Sequence, residues 1–456
     1  MPNPGEMAAR VAPARSTSDS AIGASAQRKA AWRLLPILAI GYGMAFMDRI
    51  NISFASLRMN DDLHFSATVY GIGAGVFFIG YALCEVPSNL LMLRFGARRW
   101  LMRIMFTWGL LATSMMLVRT PLQFYTVRLL LGISEAGFFP GVIYYLTLWF
   151  PAPVRARAIS RFYISGPISL AVSGALAGWL MGLDGKLGLT GWQWLFLAEG
   201  LPTALFSVLV FLLLPDSPAH AAWLTSEEKQ WLQSQLSAEA AEAHIGREAG
   251  VMKALLSPKV WMIGLFLFCA CTCFYGYFFS APAILEIATG WKLTQVGFLV
   301  AAIGLGGTVA MLLGGISSDR TGERSLHCMV PCGIMAICFV LAGFARPGWL
   351  VVDSLALMLL AFSALLGPAT ALPTQFLAGP ACAAGIAAMN SITMFSGFVG
   401  PYWMGRMKDL TGSYWPGLRG LAIPALAGVG IMVALTRSLA RGRPPQPTAE
   451  LADEPA

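Results

Sequence analysis

Leu122 to Phe150, LQFYTVRLLLGISEAGFFPGVIYYLTLWF, is apolar over a length that crosses a membrane, yet it carries Arg128 and Glu135. An ionised side chain at bilayer depth costs about 2.5 to 3.5 kcal/mol on insertion scales, so it marks a transport pathway with a charged partner close by. The two residues lie about two helical turns apart, roughly 10 Å of rise, and share a helix face that cannot look at lipid. Only one other apolar segment holds a comparable pair, Asp48 and Arg49 in YGMAFMDRINISFA. Charges of balanced sign are therefore available for one buried site.

The whole chain has the composition that such a helix requires. Of 456 residues, 57% are hydrophobic and only 12% charged, against about a quarter charged in a soluble domain. Apolar runs of spanning length, about 20 residues, fall near 33–56, 68–92, 100–118, 122–150, 158–182, 192–214, 260–284, 294–316, 325–344, 349–372, 383–406 and 419–438. Runs this long and continuous exclude the short alternating strands of a barrel. The fold expected is an all-α membrane protein with twelve transmembrane helices in two pseudo-symmetric six-helix bundles.

The net charge of +8 reads as topology rather than as affinity for nucleic acid. Lys and Arg concentrate in the segments that share a side with the termini, so the positive-inside rule puts both termini in the cytoplasm of a multi-pass cell-membrane protein. The expected organisation is a disordered cytoplasmic tail at 1–32, a first bundle at 33–214, a cytoplasmic loop at 215–258, a second bundle at 259–438 and a disordered tail at 439–456. The first run follows Arg28, Lys29 and Arg33 and is long enough to span, unlike a cleaved signal peptide. In the loop, Thr225 and Glu228 form a capping box, which predicts a short surface helix bearing Trp223 and Trp231.

Turns after the second and eighth runs, LLMLRFGARRW and GGISSDRTGERSLH, align Arg94 with Arg320, Gly96 with Gly322 and Arg98 with Arg324. An internal duplication is the economical reading; a short turn that merely collects Arg and Gly is the plainer one. The cysteines give no disulfide framework, since Cys84, Cys269, Cys271, Cys273, Cys332 and Cys338 fall in or beside apolar runs. Cys269, Cys271 and Cys273 alternate on a helix and cannot converge on one metal. His64, His220, His244 and His327 sit in loops or at helix edges. No cofactor is expected.

Counting rise from Arg33 and from Leu122 puts Asp48 and Arg128 at one level, about 8 to 9 Å below the outer surface, which predicts an Asp48–Arg128 pair. Glu135 is deeper and would draw Arg49. Polar lining from the second half would come from Tyr275, Tyr277, Thr370 and Asn390, with Tyr81 and Glu85 on the second helix. Glu85 and Glu199 read as structural acids near helix ends.

With these residues in view, the chain resembles the major facilitator superfamily: twelve runs in two sixes and a G-x-x-x-D-R-x-G-x-R turn at Gly315 to Arg324. DRIN in the first helix, RLLLGISEAGFFPG in the fourth, WLFLAEG in the sixth, and LPTQFLAG followed by GIAAMNSI resemble the anion:cation symporter family, nearest its tartrate, phthalate and hexuronate members. The likeness covers about residues 33 to 437. It implies proton-driven uptake of a small organic acid by alternating access, with the proton as coupling ion. Arg49 and Arg128 would hold substrate carboxylate, Tyr81 and Asn390 would touch substrate, and Asp48 and Glu135 would handle the proton. Asp319, Arg320, Arg324 and Arg98 would serve the conformational change.

The sequence departs from the pattern at Leu93, where the superfamily turn has an aspartate, at FFSAP in the seventh helix and at GPATALPT in the tenth. These departures bear on which substrate is carried. A static salt-bridge cluster would explain Asp48 with Arg128 but explains Glu135 with Arg49 less well. An exchanger or exporter of a sugar, peptide or drug is the alternative function, against which the two arginines favour an anion. Nothing supports an enzyme: the chain has no nucleotide loop and no Ser/His/acid set at membrane depth. The expected partners are the substrate and membrane lipid, with no nucleic acid, for a monomeric carrier.

Overall fold

The computed structural model describes residues 17–243, 256–345, 347–377 and 379–441. Regular structure among them is helical: α1 (Thr17–Asp62), α2 (Ala67–Phe95), α3 (Ala97–Ser114), α4 (Pro121–Glu135), α5 (Phe138–Thr147), α6 (Ala152–Tyr163), α7 (Ser165–Met181) and α8 (Gly191–Leu213), then α9 (Ser226–Ala243), α10 (Pro258–Thr289), α11 (Leu293–Thr321), α12 (Leu326–Phe344), α13 (Gly348–Ala371), α14 (Gly379–Met394), α15 (Ser396–Thr411) and α16 (Trp415–Arg441). Ten spans among the described residues are long and apolar enough to cross a membrane, α4 and α5 together making one of them. The expected runs at 158–182 and 383–406 are each built from two helices that meet at a single residue, Ile164 between α6 and α7 and Phe395 between α14 and α15.

The uninterrupted helix expected from Leu122 to Phe150 is broken. A capping box of Thr120 with Gln123, and Pro121 in the first turn, start α4. It ends at Glu135, and Gly137 follows at φ 87°, a left-handed conformation that favours glycine. Ser88 occupies the space where a Cβ on Gly137 would go. Glu135 therefore sits on the last turn of α4, where the helix dipole disfavours an anion and a cation has to offset it.

Small residues let the helices approach, as is usual inside membranes. A Cβ on Gly132 of α4 would strike the backbone of Phe77 in α2, and one on Gly109 of α3 would strike Ala204 and Gly200 of α8. Similar contacts join the earlier helices to the later ones at the end remote from the chain termini. There α2 meets α15 through Gly71 and Gly75, α7 meets α11 through Gly174 and Gly297, and Asp409 accepts from the Ala67 and Thr68 N–H groups at 3.0 and 2.7 Å. The turns expected to be duplicates both place glycine at positive φ, Gly96 at 86° and Gly322 at 68°.

The tail expected to be disordered through residue 32 is helical from Thr17, while residues 1–16 lie outside the described residues. Composition misleads here because the helix is held by tertiary contacts. Ala26 and Ala30 are buried, Gly23 packs on Trp231 of α9, and Lys29 pairs with Glu228 at 2.8 Å. The capping box that starts α9 forms as read, Thr225 with Glu228, and Trp223 stacks on Trp149. Residues 244–255 of the same loop, His244 included, lie outside the described residues, as do 442–456 of the second tail.

Glu228 thus fastens the start of α1. Burial works against its charge, but the Lys29 ammonium, the Thr225 N–H and the Ser25 hydroxyl outweigh burial and hold its carboxyl down at about 2. This latch is at full strength above the ordinary carboxylate range and is lost only as pH falls towards 2. Glu228→Ala should release it: trypsin should then cut at Arg28 and Lys29 several-fold faster than in the wild type, and an unchanged cleavage rate would count against the latch.

Candidate functional site

The site lies between α1, α2 and α4. Arg49 donates through Nε (2.8 Å) and Nη2 (2.5 Å) to the same oxygen of Glu135, Oε1. Glu135 is fully buried and its Oε2 has no partner, whereas the Arg49 side chain keeps 25% exposure. The expected Arg49–Glu135 pair is therefore present, with one carboxylate oxygen left without a partner. Arg49 also lies 5.0 Å from the centre of the Tyr81 ring and 5.7 Å from that of Phe77, cation–π contacts of about 0.5 to 2 kcal/mol each.

The expected Asp48–Arg128 pair does not form. Arg128, 1% exposed, donates instead to backbone carbonyls of α2, Nε to Gly73 at 3.1 Å and Nη2 to Ala74 at 3.4 Å, and lies 5.0 Å from the centre of the Phe77 ring. The reason is the close approach of α2 and α4 at Gly132, which brings those carbonyls within reach. Asp48, 2% exposed, accepts from the indole Nε1 of Trp108 on α3 and from Asn51 Nδ2 at 3.4 Å. Rise along a helix gives depth but not azimuth, so a common level expected from counting residues does not make the two residues partners.

Of the other expected residues, Tyr81 is buried beside Arg49, and Tyr275 on α10 packs against Phe78 of α2 with ring centres 4.7 Å apart. Asn390 on α14 is exposed. Tyr277 is buried, and Thr370 is exposed near the end of α13. Tyr70 donates to the Phe279 carbonyl at 2.8 Å, and Phe78 packs on Phe279, so aromatic side chains join α2 to α10 around this level.

The residues expected to serve movement lie towards the end that holds the termini. Arg98 donates to the Phe211 carbonyl at 2.6 Å and lies 3.6 Å from Asp216. Arg324 lies 3.9 Å from Asp319 and donates to the Ala371 carbonyl. A small cavity there is lined by Gly315, Ser318, Asp319, Arg324, Gly367, Pro368 and Ala371. Arg320 is exposed one residue from Asp319. Sequence reasoning missed Trp108, the second indole of α3, and Phe77, which stands beside both guanidinium groups.

The chain matches the sequence profile of the Major Facilitator Superfamily over residues 38–401. It belongs to that superfamily. As a member it is a multi-pass membrane transporter and not an enzyme. A protein of Agrobacterium vitis named as a tartrate transporter is 42% identical over 90% of this chain and 91% of its own. A quinolone resistance transporter of Acinetobacter baumannii is 39% identical over 88% and 93%. Among solved structures, the inward-facing, unoccupied bacterial homologue of the human lysosomal transporter Spinster has a TM-score of 0.76 at 16% identity, covering 95% of this chain and 100% of its own. A D-xylose–proton symporter has a TM-score of 0.68 at 16% identity, over 89% and 97%. These two show the fold.

If the α2–α4 contact positions Arg128, Gly132→Ala should displace it. Forcing a methyl group into this packing costs about 1 to 3 kcal/mol. The variant should unfold at lower temperature in detergent and lose substrate affinity, while equal thermal stability and affinity would contradict the assignment.

Proposed function

We propose that this transporter carries a small organic carboxylate into the cell together with a proton, by alternating access between two six-helix bundles, twelve spans in all. The bundles correspond to residues 33–214 and 259–438, and the broken helices α6–α7 and α14–α15 each make one span. The observation that carries this reading is Arg128, a buried guanidinium whose hydrogen bonds among the described residues go to backbone carbonyls and which lies against an aromatic face. A carbonyl dipole orients a cation without neutralising it. An incoming carboxylate can displace those carbonyls from the guanidinium, and the Arg49 side chain beside it keeps 25% exposure.

Coupling follows from the same geometry. A carboxylate that draws Arg49 away from Glu135 leaves a second anion in a low-dielectric site, and proton binding there becomes more favourable. Substrate and proton then assist each other by linkage, and the loaded site returns to neutrality before the bundles rock. Asp48, held by Trp108 and Asn51, is the second acid of the coupling set. Tyr81, Tyr275 and Asn390 contribute the walls of the substrate site, and Asp319, Arg320, Arg324 and Arg98 act at the end where the bundles part. That end, with the termini, faces the cytoplasm of a cell-membrane carrier.

The tartrate relative supports a hydroxy-dicarboxylate as the first substrate to try. The quinolone relative favours a second reading, export. Quinolones are themselves carboxylic acids, so the same arginines would serve and only the direction would differ.

In proteoliposomes, Glu135→Gln should still exchange tartrate across the membrane but fail to accumulate it on a proton gradient. Arg128→Lys should lose both by about tenfold or more, since a point charge cannot replace the planar fork. Gradient-driven accumulation at the wild-type level in either variant would overturn the proposal.

A further inference from the structure

Arg103 is a cation inside a membrane span that no anion among the described residues answers. It lies on α3 about 9 Å of rise past Ala97, where the span begins. The side chain is half-buried and makes no hydrogen bond to a described residue, and its Nε is buried without a partner. A ring holds it instead: the guanidinium lies 4.0 Å from the centre of the Trp100 indole. That indole is itself fixed. Its Nε1 donates to Ser88 of α2 at 3.0 Å, and it stacks on Phe95 with ring centres 5.5 Å apart and planes inclined by 8°. An arginine near a helix end snorkels towards the headgroups. Here the anchored ring sets where the guanidinium stops, one turn back towards the helix start, so the charge is presented at one place.

Arg99, Arg103, Phe106 and Leu110 follow at helical spacing along one stripe of α3. Arg99, Phe106 and Leu110 are exposed, whereas Leu101, Ile104, Met105 and Trp108 make the buried face. Trp108 is the residue that donates to Asp48, so the stripe looks away from the transport site and towards lipid. It is basic at the end near the chain termini and apolar beyond. Arg94, exposed in the last turn of α2, adds a further cation there. Among the described residues Arg94, Arg99 and Arg103 have no carboxylate partner, and the acid beside Gly96, Asp216, is taken by Arg98 at 3.6 Å.

We propose that this stripe binds an anionic phospholipid of the leaflet nearest the termini, its phosphate between Arg99 and Arg103 and an acyl chain along Phe106 and Leu110. The planar fork of arginine suits a phosphate, and a lipid with net negative charge supplies the neutralisation that the protein leaves undone. A zwitterionic lipid brings its own ammonium, which offsets that gain. A soluble phosphate has no chain to lay on the apolar half of the stripe. The inference does not depend on what the site between α1, α2 and α4 carries.

Native mass spectrometry of the purified full-length carrier, offered equal amounts of phosphatidylglycerol and phosphatidylcholine with the same acyl chains, tests it. The wild type should retain phosphatidylglycerol in preference. Arg103→Gln and Arg99→Gln should each lower that preference about fivefold, the weight of one cation near an anionic surface. Arg58→Gln removes an exposed arginine near the far end of α1 and should leave the preference unchanged. Equal retention of the two lipids by the wild type would overturn the proposal, as would a preference that survives Arg103→Gln or falls as far in Arg58→Gln. Prior incubation with inorganic phosphate should not release the lipid; release would mark a site for soluble anions and overturn it too. Should Arg103→Gln not give a monodisperse protein, Arg99→Gln decides alone.

Discussion

Three buried ionisable groups, Asp48, Arg128 and Glu135, and the partly exposed Arg49 must find partners within α1, α4 and their neighbours, and this constraint organises the molecule around them. Arg49 and Glu135 satisfy each other through one oxygen. Asp48 takes an indole and an amide as donors. Arg128 takes two carbonyls of a neighbouring helix, which requires that α2 and α4 touch almost backbone to backbone at Gly132. Burying an ion costs several kcal/mol even after relaxation, so any change in helix packing that separates these partners is resisted. On the proposed reading, a ligand that brings its own charge replaces one of these bonds.

The outline of this arrangement was legible in the sequence. Leu122 to Phe150 announced a membrane helix with a functional face, and Asp48 with Arg49 announced its counterpart. The Arg49–Glu135 pair followed from depth and sign alone. Three features were not legible, each for a physical reason. The break at Gly137 depends on a positive φ, and GISEAGFFPG carries small residues and a proline without showing which one leaves the helix. The partner of Asp48 depends on azimuth, which a count of residues does not give, so Trp108 was missed. The helix at Thr17 depends on α9, a segment some two hundred residues away that clamps Lys29 through Glu228.

The described contacts between the earlier and later helices also bear on movement. They gather at the end remote from the termini, where glycines let α2 meet α15 and α7 meet α11. Asp409 fastens that end by accepting two exposed N–H groups of α2, an arrangement that water can replace at little cost. Arg98 and Arg324 at the opposite end hold helix-terminal carbonyls, where bonds can be exchanged as helices tilt. On the proposed reading, rocking breaks a few replaceable polar contacts and glycine packing at one end and leaves the charged centre intact.

The central claim is that anion binding at Arg128 and proton binding at Glu135 favour each other. The most direct measurement is proton uptake by the purified carrier, followed with a pH indicator in weak buffer as tartrate is added. The account predicts uptake of protons on binding, saturating with the ligand and absent when Arg128 is replaced by alanine. Binding of tartrate without proton uptake, or with proton release, would contradict it.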